Sequence, residues 1–364
     1  MKLSPDTSYF AQAMRRLSIR TKPLRRVLAA GALLTVAWSP SLSWAGDVLK
    51  LKDDRPNEYV VVKGDTLWDI SAMFLDTPWR WPELWGFNSQ IHNPHLIYPG
   101  DVIYLVWVDG KPQLKVKRAM RKLGPSLKAE PLARAIPMIR LKDILAFLED
   151  NRVMSEQSYL EAPYILASKD RRIIAGAGDR VYARGELLDQ ELKQQVFRAT
   201  GDYRDPTTNE LLGYELTKIA DVTLVAKESD ILSLNVNRSY QELRTQDRVL
   251  PLESQDIRSV FYPKAVAEDT QGVVLSVLGG VRDGGQYNVI AVNLGTNQDI
   301  QEGDVFAIHR KGEAVVDPIT EEVVTLPAER SGIAMVFKTF EKVSYALILS
   351  STNVVSSGDQ VKAP

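Results

Sequence analysis

Tyr59-Val60-Val61-Val62-Lys63-Gly64-Asp65-Thr66-Leu67-Trp68-Asp69-Ile70 opens the stretch that decides the first folded unit, and Ile97-Tyr98-Pro99-Gly100-Asp101-Val102-Ile103 closes it. The β-branched run from Glu58 to Val62 ends at Lys63-Gly64-Asp65, a strand entering a turn. Asp65 or Thr66 caps the helix that follows, because a short side-chain oxygen accepts from the free N–H groups of a first turn. Leu67, Ile70 and Phe74 recur at helical spacing and share a face. Pro78 stops this helix, and Pro82 lies early in the next, whose apolar side continues through Leu84 and Phe87, with Asn88 near its end. Pro94 and Pro99-Gly100 mark a loop and a turn, and Val102 to Leu105 is a second strand. The spacing predicts β-α-α-β, with both helices on one face of a two-strand sheet that is marginal without them. Most of Trp68, Trp79, Trp81, Trp85 and Trp107 read as core residues of so small a unit.

Residues 57–108 thereby resemble a LysM domain, a small α+β module that binds N-acetylglucosamine polymers. The resemblance implies a groove between the Gly64-Asp65-Thr66 loop and the loop from Asn93 to Tyr98. Gly64, Asp65, Thr66 and Leu67 would line one wall; Pro94, Leu96 and Ile97 the other, with Asn88 also at the sugar site. An apolar cleft with a few placed polar groups suits an N-acetyl group. Gly64 and Pro99-Gly100 serve equally as plain turn residues. The segment from Leu75 to Trp81 lengthens the inter-helix loop relative to the shortest modules.

Upstream, seven basic residues from Lys2 to Arg26 precede the short apolar run Val27 to Trp38, and Ser43-Trp44-Ala45 fits a small-x-small cleavage site. Residues 1–45 are expected to be a secretory signal, starting at Met1 or Met14, with an apolar run too short for a spanning helix; a retained anchor is the alternative reading. The expected compartment is the periplasm, in association with cell wall and outer membrane. The whole chain has 45 basic and 46 acidic residues. Removing seven basic and one acidic residue leaves 38 against 45, about −7, which argues against nucleic acid as a partner.

Downstream, residues 109–137 carry seven basic residues from Lys111 to Lys128 and scattered prolines, as a solvated linker or as a contact with acidic peptides. Ile139 to Leu148 has the pattern of a short helix. Beyond residue 160, short apolar runs alternate with turns, predicting a mostly-β half. A faint repeat divides it into units 138–255 and 256–364. Asp205-Pro206 parallels Asp317-Pro318, and Asp247-Arg248-Val249 parallels Asp359-Gln360-Val361, both 112 residues apart. Gly178-Asp179 and Gly303-Asp304 are 125 apart, which predicts 13 inserted residues in the first unit, with a helix over Glu186 to Val196.

Gln301-Glu302-Gly303-Asp304-Val305-Phe306, Ile333 to Phe337, Ala346 to Ile348 and Ser357-Gly358-Asp359-Gln360-Val361 are similar, in that order, to the C-terminal domain of the flagellar outer-membrane ring protein FlgT. Signal, LysM and this domain together resemble the TsaP family of secretin-associated proteins of type IV pili. That resemblance implies two partners, peptidoglycan and an outer-membrane secretin ring, joined by a non-enzymatic anchor. The residues agree in their chemistry. Cys is absent, which removes a thiol nucleophile. Only His92, His95 and His309 are present, and no nucleophile-elbow motif accompanies them. No cofactor or metal is expected. An Asp/Glu pair on the β-half is the remaining enzymatic reading, and a wall-binding protein without a secretin partner is a third.

Overall fold

The hairpin signal Asp109-Gly110 extends the first unit by a strand. The computed structural model describes residues 49–85, 97–118, 139, 141–169, 174–189, 191–252, 261–279, 282–312 and 314–364. The signal segment, linker residues 119–137, and Asn88, His92, Pro94, His95 and Leu96 lie outside the described residues. Strand β1 (Glu58–Val60) pairs antiparallel with β2 (Val102–Val108), and between them lie α1 (Leu67–Phe74), a 3-10 turn Pro78–Arg80 and α2 (Trp81–Trp85). The expected two-strand sheet has three strands: β3 (Lys111–Lys117) pairs with β2 along its whole length. The stretch assigned to the linker by its charge therefore begins as sheet. Pro112, Gln113 and Leu114 are buried there, while Lys111 and Lys117 are exposed. Asp109 and Gly110 take φ of 50° and 73°, a turn whose twist matches a two-residue hairpin. Trp68, Trp79, Trp81 and Trp85 are core, and Trp107 is exposed on β2.

The C-terminal half opens with α3 (Leu141–Asp150), β4 (Asn151–Met154) and α4 (Glu156–Glu161), the first of which meets the expected helix. Two closed sheets follow. The first contains β5 (Tyr164–Ser168), β6 (Arg180–Arg184), β7 (Lys193–Arg204), β8 (Leu211–Glu228), β9 (Ile231–Ser239) and β10 (Arg248–Pro251). Their order is β8-β7-β10-β5-β6-β9, closed by a β8–β9 pairing, with β4 added on β8. Strands β11 (Lys264–Ala265), β12 (Gln271–Val277), β13 (Asp283–Gly284), β14 (Val289–Val292), β15 (Asp304–Arg310), β16 (Ala314–Val316) and β17 (Val323–Thr325) come next. The chain ends with β18 (Glu329–Thr339), β19 (Ser344–Ser351), β20 (Val355–Ser356) and β21 (Gln360–Lys362). The second ring runs β18-β15-β21-β12-β14-β19 and closes on β18, with β11 added on β15. Closure leaves no edge strand in either ring.

Strand order in the two rings is the same, and so is register. Thr223 pairs with Lys193 and Asn235 in the first barrel; Met335 pairs with Val305 and Leu347 in the second, each 112 residues on. The β-bulge between Ala183's and Tyr182's partners, Ile165/Ala167, recurs at Val274/Ser276. This register corrects one alignment drawn from sequence. Gly178-Asp179 precedes β6, whose counterpart β14 is preceded by Tyr287-Asn288, 109 residues on, whereas Gly303-Asp304 leads into β15, which begins at Asp304. The 13-residue insertion therefore does not exist. Nor does the helix: Lys193 to Val196 lie in β7, where Gln194, Gln195 and Val196 are buried and pair with β8 and β10. Tertiary pairing overrides the helical propensity of the Glu/Leu/Gln-rich run.

Candidate functional site

Two glycine-aspartate turns meet at one end of the three-stranded sheet. In each, an aspartate closes the turn by taking the N–H three residues back: Val62 N–H donates to Asp65 Oδ2 at 2.8 Å, and Tyr98 N–H to Asp101 Oδ2 at 3.1 Å. Gly64 and Gly100 supply the positive φ, 107° and 98°. Val61 ties the turns together, donating to Asp101 O at 2.9 Å and accepting from Gly100 N–H at 2.8 Å.

The expected site residues divide by depth. Gly64 is exposed, and a Cβ built on it meets nothing within 4 Å. Asp65 is half-buried and holds structure rather than reaching outward. Its Oδ2 also accepts from the Tyr59 hydroxyl at 2.9 Å. Burial, and then that carboxylate, push the Tyr59 hydroxyl up to about 12. Thr66, placed by sequence on the groove wall, is the helix cap: its Oγ1 accepts from Asp69 N–H at 3.0 Å, and the residue is 2% exposed. Leu67 and Ile97 are fully buried beneath the two turns. They form the floor of the end, and the backbone of Lys63-Gly64 and the half-buried Tyr98, Pro99 and Gly100 form its rim. Asn88, Pro94 and Leu96 lie outside the described residues. The described side of this end presents the exposed Val60, Val62, Lys63 and Gly64.

The module does not hang free of the barrels. Trp81 stacks with Tyr262 at 6.3 Å, the Arg330 guanidinium lies 5.7 Å over the Trp79 ring, and the Tyr287 hydroxyl donates to Asp69 Oδ1 at 3.3 Å. Tyr287 takes φ of 70° in the turn that Asn288 closes on Gly285 N–H. Sequence reasoning missed Tyr287, because its partner lies 218 residues away. It also missed Tyr59, although Tyr59 stands in the quoted motif.

Burial, then Lys362 and Arg330, push the His309 imidazole below its usual range. Among the described residues, no group of three His, Asp or Glu is placed to hold a metal ion, and no helix is long and apolar enough to cross a membrane.

Residues 59–106 match the model of the LysM domain, a binding domain for N-acetylglucosamine-containing glycans such as peptidoglycan. No curated protein matches the chain.

Proposed function

We propose that this protein is a non-enzymatic periplasmic anchor, gripping peptidoglycan with its LysM module and an outer-membrane secretin ring of the type IV pilus with its β-half. The observation that carries the reading is the packing of the module on the second barrel. Trp79, Trp81 and Asp69 face the barrel, while Val62 and Gly64 stay exposed. A load applied to the barrels would then pass to the glycan through packed side chains rather than through a slack linker. The shared strand order and register support reading the β-half as two copies of one unit. A supersecondary unit repeated in tandem lets neighbours bury each other's apolar faces.

The test uses the full chain without its signal. Wild type is expected to pellet with purified sacculi and to release no muropeptides. Gly64→Asn adds a side chain at the rim, at a backbone cost of about 1 kcal/mol. Gly110→Asn places the same change at φ 73°, in open space at the opposite end of the sheet. Loss of pelleting in the first variant only locates the site; equal pelleting by both misplaces it. Capture of the secretin from a detergent extract tests the second grip. Pelleting with sacculi but no secretin capture would reduce the protein to a general wall binder.

A further inference from the structure

The long hairpins of the two barrels have the same tip and opposite surroundings. In the first barrel, Asp205 Oδ1 accepts from Thr207 and Thr208 N–H at 2.8 and 2.9 Å, and Asn209 reverses the chain at φ 59°. In the second, Asp317 Oδ1 accepts from Ile319 and Thr320 N–H at 2.8 and 3.2 Å, and Glu321 reverses it at φ 58°. Asp205 and Glu210 fall on Asp317 and Glu322, each 112 residues on.

The first tip has a seat. Asn293 Nδ2 donates to Asp205 Oδ2 at 2.9 Å, and Lys342 Nζ meets Glu210 Oε1 at 2.5 Å. Tyr203 and Leu212 are buried in one cluster with Tyr345 and Leu347 of the second barrel. The second tip has no seat among the described residues. Ile319 is 89% exposed and Val324, the counterpart of the buried Leu212, 44%, while Val315, the counterpart of Tyr203, is half-buried. A two-stranded hairpin is marginal alone, and clustered apolar exposure marks a contact surface.

The seat has a counterpart as well. By register, Tyr345 and Leu347 correspond to Ser233 and Asn235 on β9, Ala291 to Tyr182 on β6, and Asn293 to Arg184. Arg184 and Asn235 are exposed, and Tyr182, Ile231 and Ser233 are half-buried. One barrel thus has an unseated hairpin and the other an uncovered seat, which are the two halves of a heterologous contact. We propose that a second copy of this chain completes it. The β16–β17 hairpin of one molecule lies on the β6–β9 face of the next, Asp317 toward Arg184, with Val315 and Val324, the counterparts of Tyr203 and Leu212, over Tyr182 and Ile231 and with Ile319 at the tip beside them.

This contact is weaker than its internal model. Asp230 stands where the second barrel has Lys342, and Arg184 Nε already holds it at 2.8 Å. Arg184 therefore serves two carboxylates, and Glu322 gains no cation of its own. The association is reversible, and salt weakens it.

Sedimentation velocity of the full chain over a concentration series tests the proposal. Wild type is expected to sediment faster as concentration rises, less so in high salt. Ile319→Asp with Val324→Asp, and separately Arg184→Glu, should hold the monomer value with unchanged Tm, since all three residues are exposed. Asp317→Asn keeps the oxygen that closes the turn and should weaken association about tenfold or less. A wild type that stays monomeric at every concentration overturns the proposal, as does a rise that survives in both the hairpin and Arg184 variants. Neither result bears on glycan binding, which the sacculus assay reads independently.

Discussion

The two barrels share every ring strand and differ in what lies outside them. On β9, Leu232, Leu234 and Val236 face the first barrel's core, while Ser233, Asn235 and Asn237 face out. On β19, Ala346 and Ile348 face the second core, and Tyr345, Leu347 and Leu349 face out yet are buried. Those three join one cluster with the LysM core, with Ile144 of α3 and with Tyr203 and Leu212 of the first hairpin. Lys338, on the neighbouring strand, donates to Leu148 O and Asn151 O at 2.9 and 2.8 Å and so fixes the end of α3. One fold thus serves two roles, a barrel with a wet exterior and a barrel whose exterior is the interior of the protein. Period-two alternation in β9 against an unbroken apolar run in β19 is the mark of that difference.

The sharpest way to break the comparison is to place the same charge at corresponding positions. Leu347 is fully buried, and its counterpart Asn235 is exposed, accepting from Arg180 Nε at 3.1 Å. Leu347→Asp is expected to cost more than about 4 kcal/mol, from lost apolar burial and an unpaired carboxylate taken out of water. Asn235→Asp keeps the acceptor oxygen and should stay within about 0.5 kcal/mol. Urea denaturation of the full chain reads both. Similar costs would mean that the two outer faces are not different in kind.

A smaller effect separates the hairpins. Tyr203 is buried against the second barrel, whereas its counterpart Val315 is only half-buried. Tyr203→Ala should cost about 3 kcal/mol by emptying an aromatic site. Val315→Ala should cost less than about 1 kcal/mol. Equal losses in the same denaturation experiment would place a seat under the second hairpin within one chain.

What was legible in the sequence follows from local signals. Helix α1 was readable because Thr66, Leu67, Ile70 and Phe74 are local, and the hairpin tips were readable because Asp-Pro recurs at a fixed distance. The register of the repeat was not, for a physical reason. One turn, with a positive φ at its third residue and an aspartate closing it, precedes β6, β10, β15 and β21 and also flanks β2. Matching Gly178-Asp179 to Gly303-Asp304 matched that turn one strand out of step. The true counterpart of Asp179 is Asn288, which takes Gly285 N–H at 2.8 Å, behind Tyr287 rather than a glycine. In the LysM module the same turn makes Gly64 and Asp65 structural first. Their motif identified the domain, while the burial of Thr66 and Leu67 could only come from three dimensions.

The smallest effect is a titration that one hairpin has and the other lacks. Glu215 lies on β8 beside Tyr203 and Tyr345, and its counterpart 112 residues on is Pro327. Burial raises the Glu215 carboxyl above its ordinary value of 4.5, and the Tyr203 hydroxyl only partly opposes it. Both tyrosine hydroxyls are themselves pushed up by burial and stay neutral across the range in question. The folded state therefore holds the Glu215 proton more tightly than the unfolded state does. Above the ordinary value, the unfolded chain releases that proton first, so stability falls as pH climbs toward the raised folded value. Glu215→Gln keeps the shape and removes the charge. It should match wild type in acid and exceed it in Tm at neutral pH, with the gap opening across that window. A Tm difference that does not change with pH would show that Glu215 is solvated in the seated hairpin, and that the seat is wetter than the burial of Tyr203 and Tyr345 implies.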